Sequence, residues 1–556
     1  MNVKLAGKLD DKMKIEQMNQ AASAFLDEYR EFSDPVRGFF DYSPDSKGEE
    51  ARFEELDAIT YNRQGLSDAM LHYQERFNPD EQAIKNIHKL KDRETTVVVG
   101  GQQAGVFGGP LYTVYKMMSV LLEAERLEST YGRSVVPVFW IAGEDHDEEE
   151  INHTYTFIDR QMKVKLKDPS PLKTPASETF VRKDDILRLL KDLVKADPES
   201  ERTVFLLNKA ECLLQDEETY SSFFVKWMSD LFRGTGLVFM DAQDPEIRRI
   251  EKDHFVSMIQ KNNAVRQVFQ SAVSTCKTYG YGEPIHTGPE NAHLFLHDEN
   301  GERQLLSAVS ENQFTDPFSG RHWTETELIE ALHKEDIRLS NNVVTRPVMQ
   351  DLLLPVHTFI GGPGEIKYWM VLREVFHLFD HRMPVIKPRL QMTVVQRKTE
   401  KELKRYGMTE EEVLKTGVQK HLDAIIECRK TVDDEAVIKS MKAQIQSSVN
   451  GAKEAYSQER LSYSQLTEQF ERRLHQEIEQ FQKKITKQRF EDQDHHIKRL
   501  RSVEGDLAPG GNPQERVYSV ITLLHKNDPD IIVNIYHKIR QNLINYRSGD
   551  HLKIFL

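Results

Sequence analysis

The amino-acid sequence predicts an α/β protein with a mostly parallel β-sheet, followed by a long helical segment. Two observations support this fold class. Between residues 91 and 396, runs of β-branched and apolar residues end in glycine-rich or acidic turns, and helical periodicity follows several of these turns. Between residues 397 and 504 the chain has no proline, only three glycines and many Glu, Gln, Lys and Arg residues.

The first predicted strand spans 96–100 and runs through a glycine-rich stretch into a helix over 111–127. Further strands are predicted over 135–141, 237–240, 356–360 and 385–387. The second of the five strands ends at an acidic turn, and the fourth ends at a glycine turn followed by a helix. The stretches of about 156–232 and 264–346 interrupt this alternation, so they are predicted to be insertions into the sheet.

The chain therefore divides into three predicted segments. Residues 1–396 form the core with its two insertions, 397–504 form an α-helical coiled-coil arm, and 505–556 return to the core. Within the arm an apolar seam recurs at steps of three, four or seven residues, which is the pattern of a coiled coil. The seam consists of Tyr456, Tyr463, Leu466, Phe470, Leu474, Ile478, Phe481 and Ile485.

The partner of this seam is left open by the sequence. It is a second helix of the same arm, another subunit, or the protein's own globular domain if the helix is simply amphipathic. The stretch from Thr409 to Glu412 fits a capping box, so a separate short helix is predicted to begin there.

Composition limits the class of partner and the compartment. The 556 residues carry a formal net charge of −14, which argues against a protein that coats nucleic acid. The three cysteines are too far apart in sequence for a local metal knuckle, and they are typical of a reducing compartment. No signal peptide and no membrane-spanning stretch is recognisable. We therefore expect a cytoplasmic protein that binds small molecules.

The glycine-rich turn after the first strand is a candidate ligand site. Backbone N–H groups and a helix dipole favour anions at this point of an α/β unit. Gln102, Gln103, Gly105 and Gly108 are predicted to line the site, because the glycines allow close approach of a ligand. The spacing is neither that of a P-loop nor that of the dinucleotide fingerprint. The alternative is a tight turn that needs glycine for steric reasons alone.

The acidic turn after the second strand has the opposite polarity. Glu144, Asp145 and Asp147 are predicted to hold an ammonium group, and His146 titrates close enough to neutrality to deprotonate an attacking amine. Asp145, His146 and Asp147 are the predicted catalytic residues, and Glu144 is a predicted substrate ligand.

Two alternatives to this interpretation concern the same turn. Residues 148–150 are expected to be a solvated helix start, stabilised by the helix dipole. His146 and His153 are seven residues apart, so on a helix they would share a face and could hold a divalent ion with Asp147. No metal is assigned on this basis.

Two later segments supply further candidates. Glu365, which enters a helix after the glycine turn at 361–364, is a predicted amine ligand. Lys387 and Arg389 follow the last strand and are predicted to bind an anion such as malate or a nucleotide phosphate. The loop from Asn512 to Arg516 is predicted to close over them. The alternative is a structural salt bridge.

Four blocks of the sequence together resemble the bacillithiol biosynthesis cysteine-adding enzymes, and the match runs nearly end to end. The blocks are 100–105 with 108–110, 140–152, 359–365 with Tyr368 and Trp369, and 513–516. The resemblance implies a Rossmann-like core with connective subdomains, distantly similar to class I aminoacyl-tRNA synthetases. It also implies a homodimer formed through the coiled coil. Asn152 and Tyr368, which stand in these blocks, are predicted to bind substrate with the residues named above.

The resemblance further implies a ligase that joins the carboxyl group of cysteine to the amine of glucosaminyl malate, giving bacillithiol. ATP or ADP is the candidate cofactor, although the His-x-Gly-His and Lys-Met-Ser-Lys-Ser elements of class I synthetases are absent here. Whether ATP activates the carboxyl group stays open. The alternative function is a nucleotide-sensing scaffold whose coiled coil recruits partners.

Overall fold

The computed structural model describes residues 13–18, 24–158, 160–195, 199–428, 433–457, 461–492, 494–542 and 545–556. The chain forms two compact units, Met1–Val394 with Pro513–Leu556 and Val395–Asn512. The predicted arm of 397–504 lies inside the second unit. The predicted C-terminal segment of 505–556 is divided between the two units after Asn512.

The strands of the described residues are β1 Lys14–Gln17, β2 Thr96–Gln102, β3 Val135–Ile141, β4 His153–Ile158, β5 Arg160–Lys165, β6 Phe180–Arg182, β7 Glu217–Thr219, β8 Val238–Asp241, β9 Asn291–His297, β10 Arg303–Ala308, β11 Gln313–Thr315, β12 His322–Thr324, β13 Arg338–Asn341, β14 Val356–Gly361, β15 Val385–Pro388, β16 Gln391–Val395 and β17 His551–Phe555.

The α-helices are α1 Ala24–Glu31, α2 Ser46–Ala58, α3 Arg63–Glu75, α4 Glu81–Lys89, α5 Leu111–Tyr131, α6 Glu148–Ile151, α7 Lys183–Val194, α8 Glu201–Leu213, α9 Tyr220–Leu231, α10 Pro245–Gln260, α11 Asn262–Thr278, α12 Glu325–His333, α13 Thr345–Leu353, α14 Pro363–Trp369, α15 Arg373–His377, α16 Arg397–Tyr406, α17 Glu410–Thr416, α18 Gln419–Cys428, α19 Asp434–Ala455, α20 Leu461–Asp492, α21 Asp494–Leu507, α22 Gln514–Val517, α23 Val520–Lys526 and α24 Ile531–Gln541.

The central sheet has the strand order β15-β14-β2-β3-β8, and each neighbouring pair is parallel. The five strands predicted from the sequence are these five, so the predicted parallel sheet is confirmed. Counted along the chain, the order is 3-2-1-4-5, as in Rossmann folds. The order reverses between β2 and β14, and a crevice opens at the carboxyl ends of strands at such a point.

Strand β2 shows why these residues form a central strand. Its valines are fully buried, and successive side chains point to opposite faces of the sheet. Val98 packs in one core cluster with Val114 and Met117 of α5. Val97 and Val99 belong to the other cluster, on the opposite face. A continuous apolar run is therefore needed, because helices cover both faces of the sheet.

The predicted insertions have structures of their own. The segment between β3 and β8 contains the antiparallel pairs β4–β5 and β6–β7 and helices α7 to α9. The segment between β8 and β14 contains an antiparallel sheet of order β12-β11-β10-β9-β13. The C-terminal strand β17 lies between β1 and β16 in a third sheet, so the chain does return to the core.

The second half of the glycine-rich turn differs from the prediction. Phe107, Gly108 and Gly109 have φ of 53°, 87° and 68°, so the backbone turns sharply before α5. The Leu111 N–H, at the start of that helix, donates to the Tyr518 carbonyl at 2.8 Å. This helix start is therefore covered by the C-terminal segment and does not open to a ligand.

Gly105 and Gly108 serve the packing of this turn. A Cβ on Gly105 would lie 2.8 Å from the Gly109 Cα, and one on Gly108 would lie 2.6 Å from the Met228 Cε. These contacts favour the alternative, a turn that needs glycine for steric reasons, and neither glycine lines the cavity at the carboxyl ends of β2 and β3. They are needed because the backbone and a side chain pack directly against them.

The second unit consists of helices α16 to α21. Helices α16, α17 and α18 pack on α21, and α19 packs along α20 as an antiparallel pair. The Thr409 side chain accepts the Glu412 N–H at the start of α17, which confirms the predicted helix start. Of the apolar seam, Ile478 is buried, whereas Leu466, Phe470 and Phe481 are exposed. The side chain of Tyr463 lies outside the described part.

Of the partners that the sequence leaves open, α19 is a second helix of the same arm, and it covers only part of the seam. Among the helices in the described ranges, none is both long enough and apolar enough to cross a membrane.

The packing of Gly105 predicts a stability effect. Gly105→Ala should lower the free energy of unfolding by about 1–3 kcal/mol, because the new methyl group overpacks the turn. As a control, Gly364→Ala in α14 has open space around the new Cβ and should be neutral or stabilising by up to about 1 kcal/mol. Chemical denaturation measures both. Equal stability of the two variants would contradict the packing role of Gly105.

Candidate active site

A cavity of about 620 Å³ lies at the carboxyl ends of β2 and β3. Its wall is formed by residues of these strand ends, of the acidic turn, of the second insertion and of α14. Seven of the predicted site residues line it together: Gln102, Gln103, Glu144, Asp145, His146, Glu365 and Tyr368. The cavity stands at the reversal of strand order, where ligands bind in open α/β sheets.

Lys116 of α5 joins the two sides of this reversal. Its ammonium donates to the Gly101 carbonyl at 2.8 Å, to Gln102 Oε1 at 3.2 Å and to Glu365 Oε2 at 2.5 Å. The lysine is 1% exposed. Burial lowers its pKa, and the Glu365 carboxylate opposes that shift. Glu365 is therefore paired inside the protein, so the predicted role as a free amine ligand is not supported.

The acidic part of the wall is organised by Gln103. Its side-chain amide nitrogen donates to Asp145 Oδ2 at 2.7 Å and to Glu150 Oε2 at 2.6 Å. A neutral amide thus holds two carboxylates side by side without neutralising them. Within the described residues, Glu150 has no ion-pair partner, and the nearest cationic atom to Asp145 is Arg303 Nη1 at 3.9 Å. This pair of carboxylates is suited to bind an ammonium group.

His146 is held by Arg303, which comes from β10 in the second insertion. Arg303 Nη1 lies 3.1 Å from His146 Nδ1. Because a guanidinium can only donate, His146 Nδ1 accepts, and the neutral imidazole carries its proton on Nε2. Burial and the charge of Arg303 both lower the pKa of His146, so the ring is neutral at pH 7. In this arrangement the His146 ring offers a hydrogen-bond donor to the cavity, whereas the predicted general base would have to accept a proton.

Glu144 is buried and already paired. Its carboxylate accepts from Arg248 and from the Asn341 N–H, the latter at 3.1 Å. Arg248 also binds Glu251, whose pKa is raised to about 8, chiefly by burial. Glu144 thus fastens the acidic turn to β13 and α10, and it is not available as a separate ammonium ligand.

Sequence reasoning missed four residues of the site: Lys116, Arg303, Asn341 and Arg346. Lys116 had a signal, because it is the one charged residue in the apolar stretch from Leu111 to Leu122. The other three belong to the second insertion or the helix that follows it, and no local motif marks them. Only the packing of the insertion against the sheet brings them to the cavity.

Two predicted residues of the acidic turn lie outside the cavity wall. Asp147 is exposed, and its N–H donates to Asp145 Oδ1 at 3.3 Å. Asn152 is buried, and its side chain donates to the Lys167 carbonyl. Asp147 therefore supports Asp145, and Asn152 fastens the β4–β5 hairpin.

The shared helix face of His146 and His153 does not form. Helix α6 ends at Ile151, and His153 begins strand β4, where its Nδ1 meets the Glu149 carbonyl at 2.8 Å. Glu148 is buried and accepts from the Tyr220 hydroxyl, so the expected solvated helix start is only partly right. Over the described ranges, no cluster of three or more His, Cys, Asp or Glu residues is placed to hold a metal ion.

The basic pair after β15 is neutralised by buried carboxylates. Lys387 contacts Glu49 and lies 2.9 Å from Glu123. Arg389 forms two hydrogen bonds with Glu515, at 2.9 and 2.6 Å. The structure therefore favours the structural salt bridge. An anion that bound here would have to compete with these carboxylates.

The other two predicted anion ligands, Asn512 and Arg516, are exposed. The Asn512 side chain donates to the Gly510 carbonyl at 3.4 Å. Arg516 lies close enough to Tyr112 to affect its ionisation. Burial raises the pKa of Tyr112, and the positive charges of Arg389 and Arg516 oppose that rise. From this loop it is Gln514 and Glu515, not Asn512 and Arg516, that bind β16 and Arg389.

The sequence matches known proteins over nearly its whole length. The family model for the N-terminal Rossmann-like domain of bacillithiol biosynthesis BshC proteins matches residues 12–390, and that for the C-terminal coiled-coil domain matches 392–546. The chain belongs to this family, as its four sequence blocks predicted.

Similar proteins bear the name "Putative cysteine ligase BshC". The one from Halalkalibacterium halodurans is 35% identical over 94% of this chain and 96% of its own length. The one from Oceanobacillus iheyensis is 32% identical over 93% and 96%. The one from Bacillus cytotoxicus is 30% identical over 94% and 97%.

The buried pairing of Lys387 predicts that it stabilises the fold. Lys387→Ala should lower the free energy of unfolding by about 1–3 kcal/mol, because the buried Glu49 and Glu123 would share only Arg126 as a cationic partner. Lys404→Ala, which removes an exposed pair with Glu400, should cost less than about 1 kcal/mol. Thermal and urea melts measure both. A Lys387→Ala protein as stable as the wild type would restore the case for an anion site.

Proposed function

We propose that this protein is a ligase that joins the carboxyl group of cysteine to the amine of glucosaminyl malate, giving bacillithiol. The observation that supports this most is that one cavity holds both carboxylates and guanidinium groups that lack close partners of opposite charge. Glu150 is the clearest of the first kind, and Arg346 of the second. A ligase of this kind must hold an amine and carboxylates in one place.

The cationic part of the wall supports binding of the substrates' carboxylates. Arg346 donates only to neutral groups, the Tyr368 hydroxyl at 3.0 Å and Gln350 Oε1 at 3.3 Å. For the part of the chain that the structure describes, no carboxylate pairs with it. Its guanidinium is therefore free to bind a carboxylate, bidentately where the geometry allows.

The residues of the acidic turn suit the amine and the developing oxyanion. Asp145 and Glu150 hold the ammonium, and Asp145 accepts one proton from it, which frees the nitrogen lone pair to attack the activated cysteine carboxyl carbon. The second proton leaves the nitrogen for solvent as the amide forms. The His146 Nε2–H then donates to the carboxyl oxygen that becomes negative. Amide formation also removes one oxygen from the cysteine carboxyl group, and a co-substrate must first activate that oxygen as a leaving group. ATP is the candidate for it, and no residue in this cavity is assigned to a nucleotide.

Reconstitution tests the reaction. Purified protein is incubated with cysteine, glucosaminyl malate and each nucleotide in turn, and bacillithiol is measured by mass spectrometry after thiol labelling. We expect product with at least one nucleotide. Absence of product with all of them would refute the ligase and leave the scaffold alternative.

Substitution of Asp145 tests the site. Asp145→Asn should reduce product formation by about a hundredfold or more, because the ammonium partner and proton acceptor is lost. Glu149→Gln removes an exposed carboxylate outside the cavity wall and serves as the matched control, with near wild-type turnover. If Asp145→Asn retained full turnover, the acidic turn would not be part of the chemistry.

We also propose that the exposed part of the apolar seam forms a homodimer. Leu466 and Phe470 are each 58% exposed and Phe481 is 43% exposed along one helix, although α19 is already packed on it. Several large apolar side chains in water are unfavourable by about 1.5–3 kcal/mol each relative to burial. A second copy that covers them removes this cost.

Sedimentation tests this interface. Phe470→Glu with Phe481→Glu should shift the protein towards monomer without lowering its melting temperature, because both side chains are exposed in one chain. Gln476→Glu with Gln480→Glu adds the same charge at exposed positions off the seam and should leave the oligomer intact. A dimer that survives the first pair of substitutions would place the interface elsewhere.

A further inference from the structure

Asp241 is a buried carboxylate behind the acidic turn, and it does not line the cavity. It ends strand β8, which pairs with β3 in the central sheet, and it is 3% exposed. Its Oδ1 accepts the Gln243 N–H at 2.9 Å, and its Oδ2 accepts the Ser177 hydroxyl at 2.5 Å. Within the described ranges, no lysine, arginine or histidine forms an ion pair with it. Asp241 thus relies on hydrogen bonds from neutral donors.

The burial of this carboxylate is unfavourable. Burial raises the pKa of Asp241 to about 6, although the hydrogen bond from Ser177 lowers it. The group is therefore largely ionised at neutral pH, in a place where an unpaired charge destabilises the fold. A neutral asparagine has the same shape and would avoid this cost. An unfavourable buried charge beside a candidate active site is typical of residues that serve function at the expense of stability.

Ser177 connects Asp241 to the acidic turn. It lies in the loop that precedes β6 in the first insertion. The Ser177 N–H donates to the Gly143 carbonyl at 3.0 Å, and the Ala176 N–H donates to the Asp145 carbonyl at 2.8 Å. A Cβ on Gly143 would overlap both the Ser177 hydroxyl and the Asp241 carboxylate, so these groups are in direct contact with the turn. The position of the turn therefore depends on the position of this loop.

The loop has a second anchor that does not involve Asp241. Glu178 accepts hydrogen bonds from the Gln243 side chain and from Arg338, both at 2.8 Å. Loss of the Asp241 contact should therefore shift the loop without unfolding it. Such a shift displaces the turn, because Ser177 and the backbone of the turn are in contact.

We propose that Asp241 is a positioning residue, which holds the acidic turn in place through Ser177 and thereby sets the direction of the Asp145 carboxylate. The inference rests on the proposed function for what Asp145 does, because that carboxylate holds the ammonium and accepts its proton. Proton transfer requires the donor and the acceptor to be within hydrogen-bond reach. A displaced turn therefore loses rate even when its carboxylates are intact.

Steady-state kinetics of bacillithiol formation test this role. Asp241→Ala should lower kcat by about ten- to a hundredfold and change the KM for the amine much less, because Glu150 still attracts the ammonium. Ser177→Ala should have the same effect, and the double variant should lose little more than either single one, since the two side chains act through one hydrogen bond. Wild-type kcat in Asp241→Ala, or losses that add in the double variant, would overturn the proposal.

A conservative variant separates the hydrogen bond from the bulk of the side chain. Asp241→Asn keeps the shape and a weaker, neutral hydrogen bond to Ser177. Its kcat should therefore lie between that of the wild type and that of Asp241→Ala. A kcat no higher than that of Asp241→Ala would show that the bond to Ser177 does not matter, which would also overturn the proposal.

Asp244→Asn is the matched control for stability. Asp244 is a second buried carboxylate after β8, but its side chain binds Arg76 and the Glu246 N–H rather than the loop. The variant should melt lower than the wild type, because it weakens that ion pair, and it should keep the kcat and KM of the wild type. An equal loss of kcat in Asp244→Asn and Asp241→Ala would show a general effect of destabilisation and contradict the positioning role.

Hydrogen–deuterium exchange separates this inference from the proposed function. In the purified full-length protein, the amides of Ala176 and Ser177 report directly on the bonds between the loop and the turn. They should exchange faster in Asp241→Ala and at the wild-type rate in Asp244→Asn. Faster exchange in Asp241→Ala, with no bacillithiol formed by the wild type, supports the hold on the turn and refutes the ligase. Unchanged exchange in Asp241→Ala overturns the inference even if bacillithiol is formed.

Discussion

The buried ammonium of Lys116 is the interaction on which the rest of the cavity depends. It ties the end of β2, through the Gly101 carbonyl, to Glu365 at the start of α14. Glu365 also accepts the Gly362 N–H, so the same carboxylate caps that helix. Burying a lysine is costly unless all its protons are bonded, and here three acceptors surround it. The Lys116 ammonium thus joins β2 to α14 at the point where the strand order of the sheet reverses.

Internal pairing decides which charges remain for a ligand. Glu365 is used by Lys116, Glu144 by Arg248, and Arg389 by Glu515. Each of these pairs fastens segments that are distant in the chain. The charges left over in the cavity are those whose neighbours are neutral amides, hydroxyl groups or rings. A ligand with one ammonium and at least one carboxylate complements these unpaired charges, as the proposed ligase requires.

Hydrogen bonding also fixes the chemistry of His146. A histidine beside two aspartates looks like a base, yet the contact with Arg303 turns its Nδ1 into an acceptor and leaves a donor at Nε2. The Asp145 carboxylate is oriented by two donors: the backbone N–H of His146, at 2.8 Å, and the side-chain amide of Gln103. The carboxylate is therefore the better proton acceptor, and the imidazole is the better partner for a developing oxyanion.

The sequence by itself determined the central sheet, the short helix that begins after Thr409, the coiled coil, the family, and the meeting of seven predicted residues at one cavity. These follow from local patterns: apolar runs become buried strands, and the carboxyl ends of parallel strands must lie at one edge. The roles of Gly105, Lys387, Arg389 and His146 were decided only by tertiary structure. Gly105 packs against the backbone of Gly109 in the same turn, and the other three residues depend on partners from distant segments, namely Glu49 with Glu123, Glu515 and Arg303. Ion pairs and steric contacts form between residues that are close in space, and the sequence around a residue does not show which distant residue will contact it.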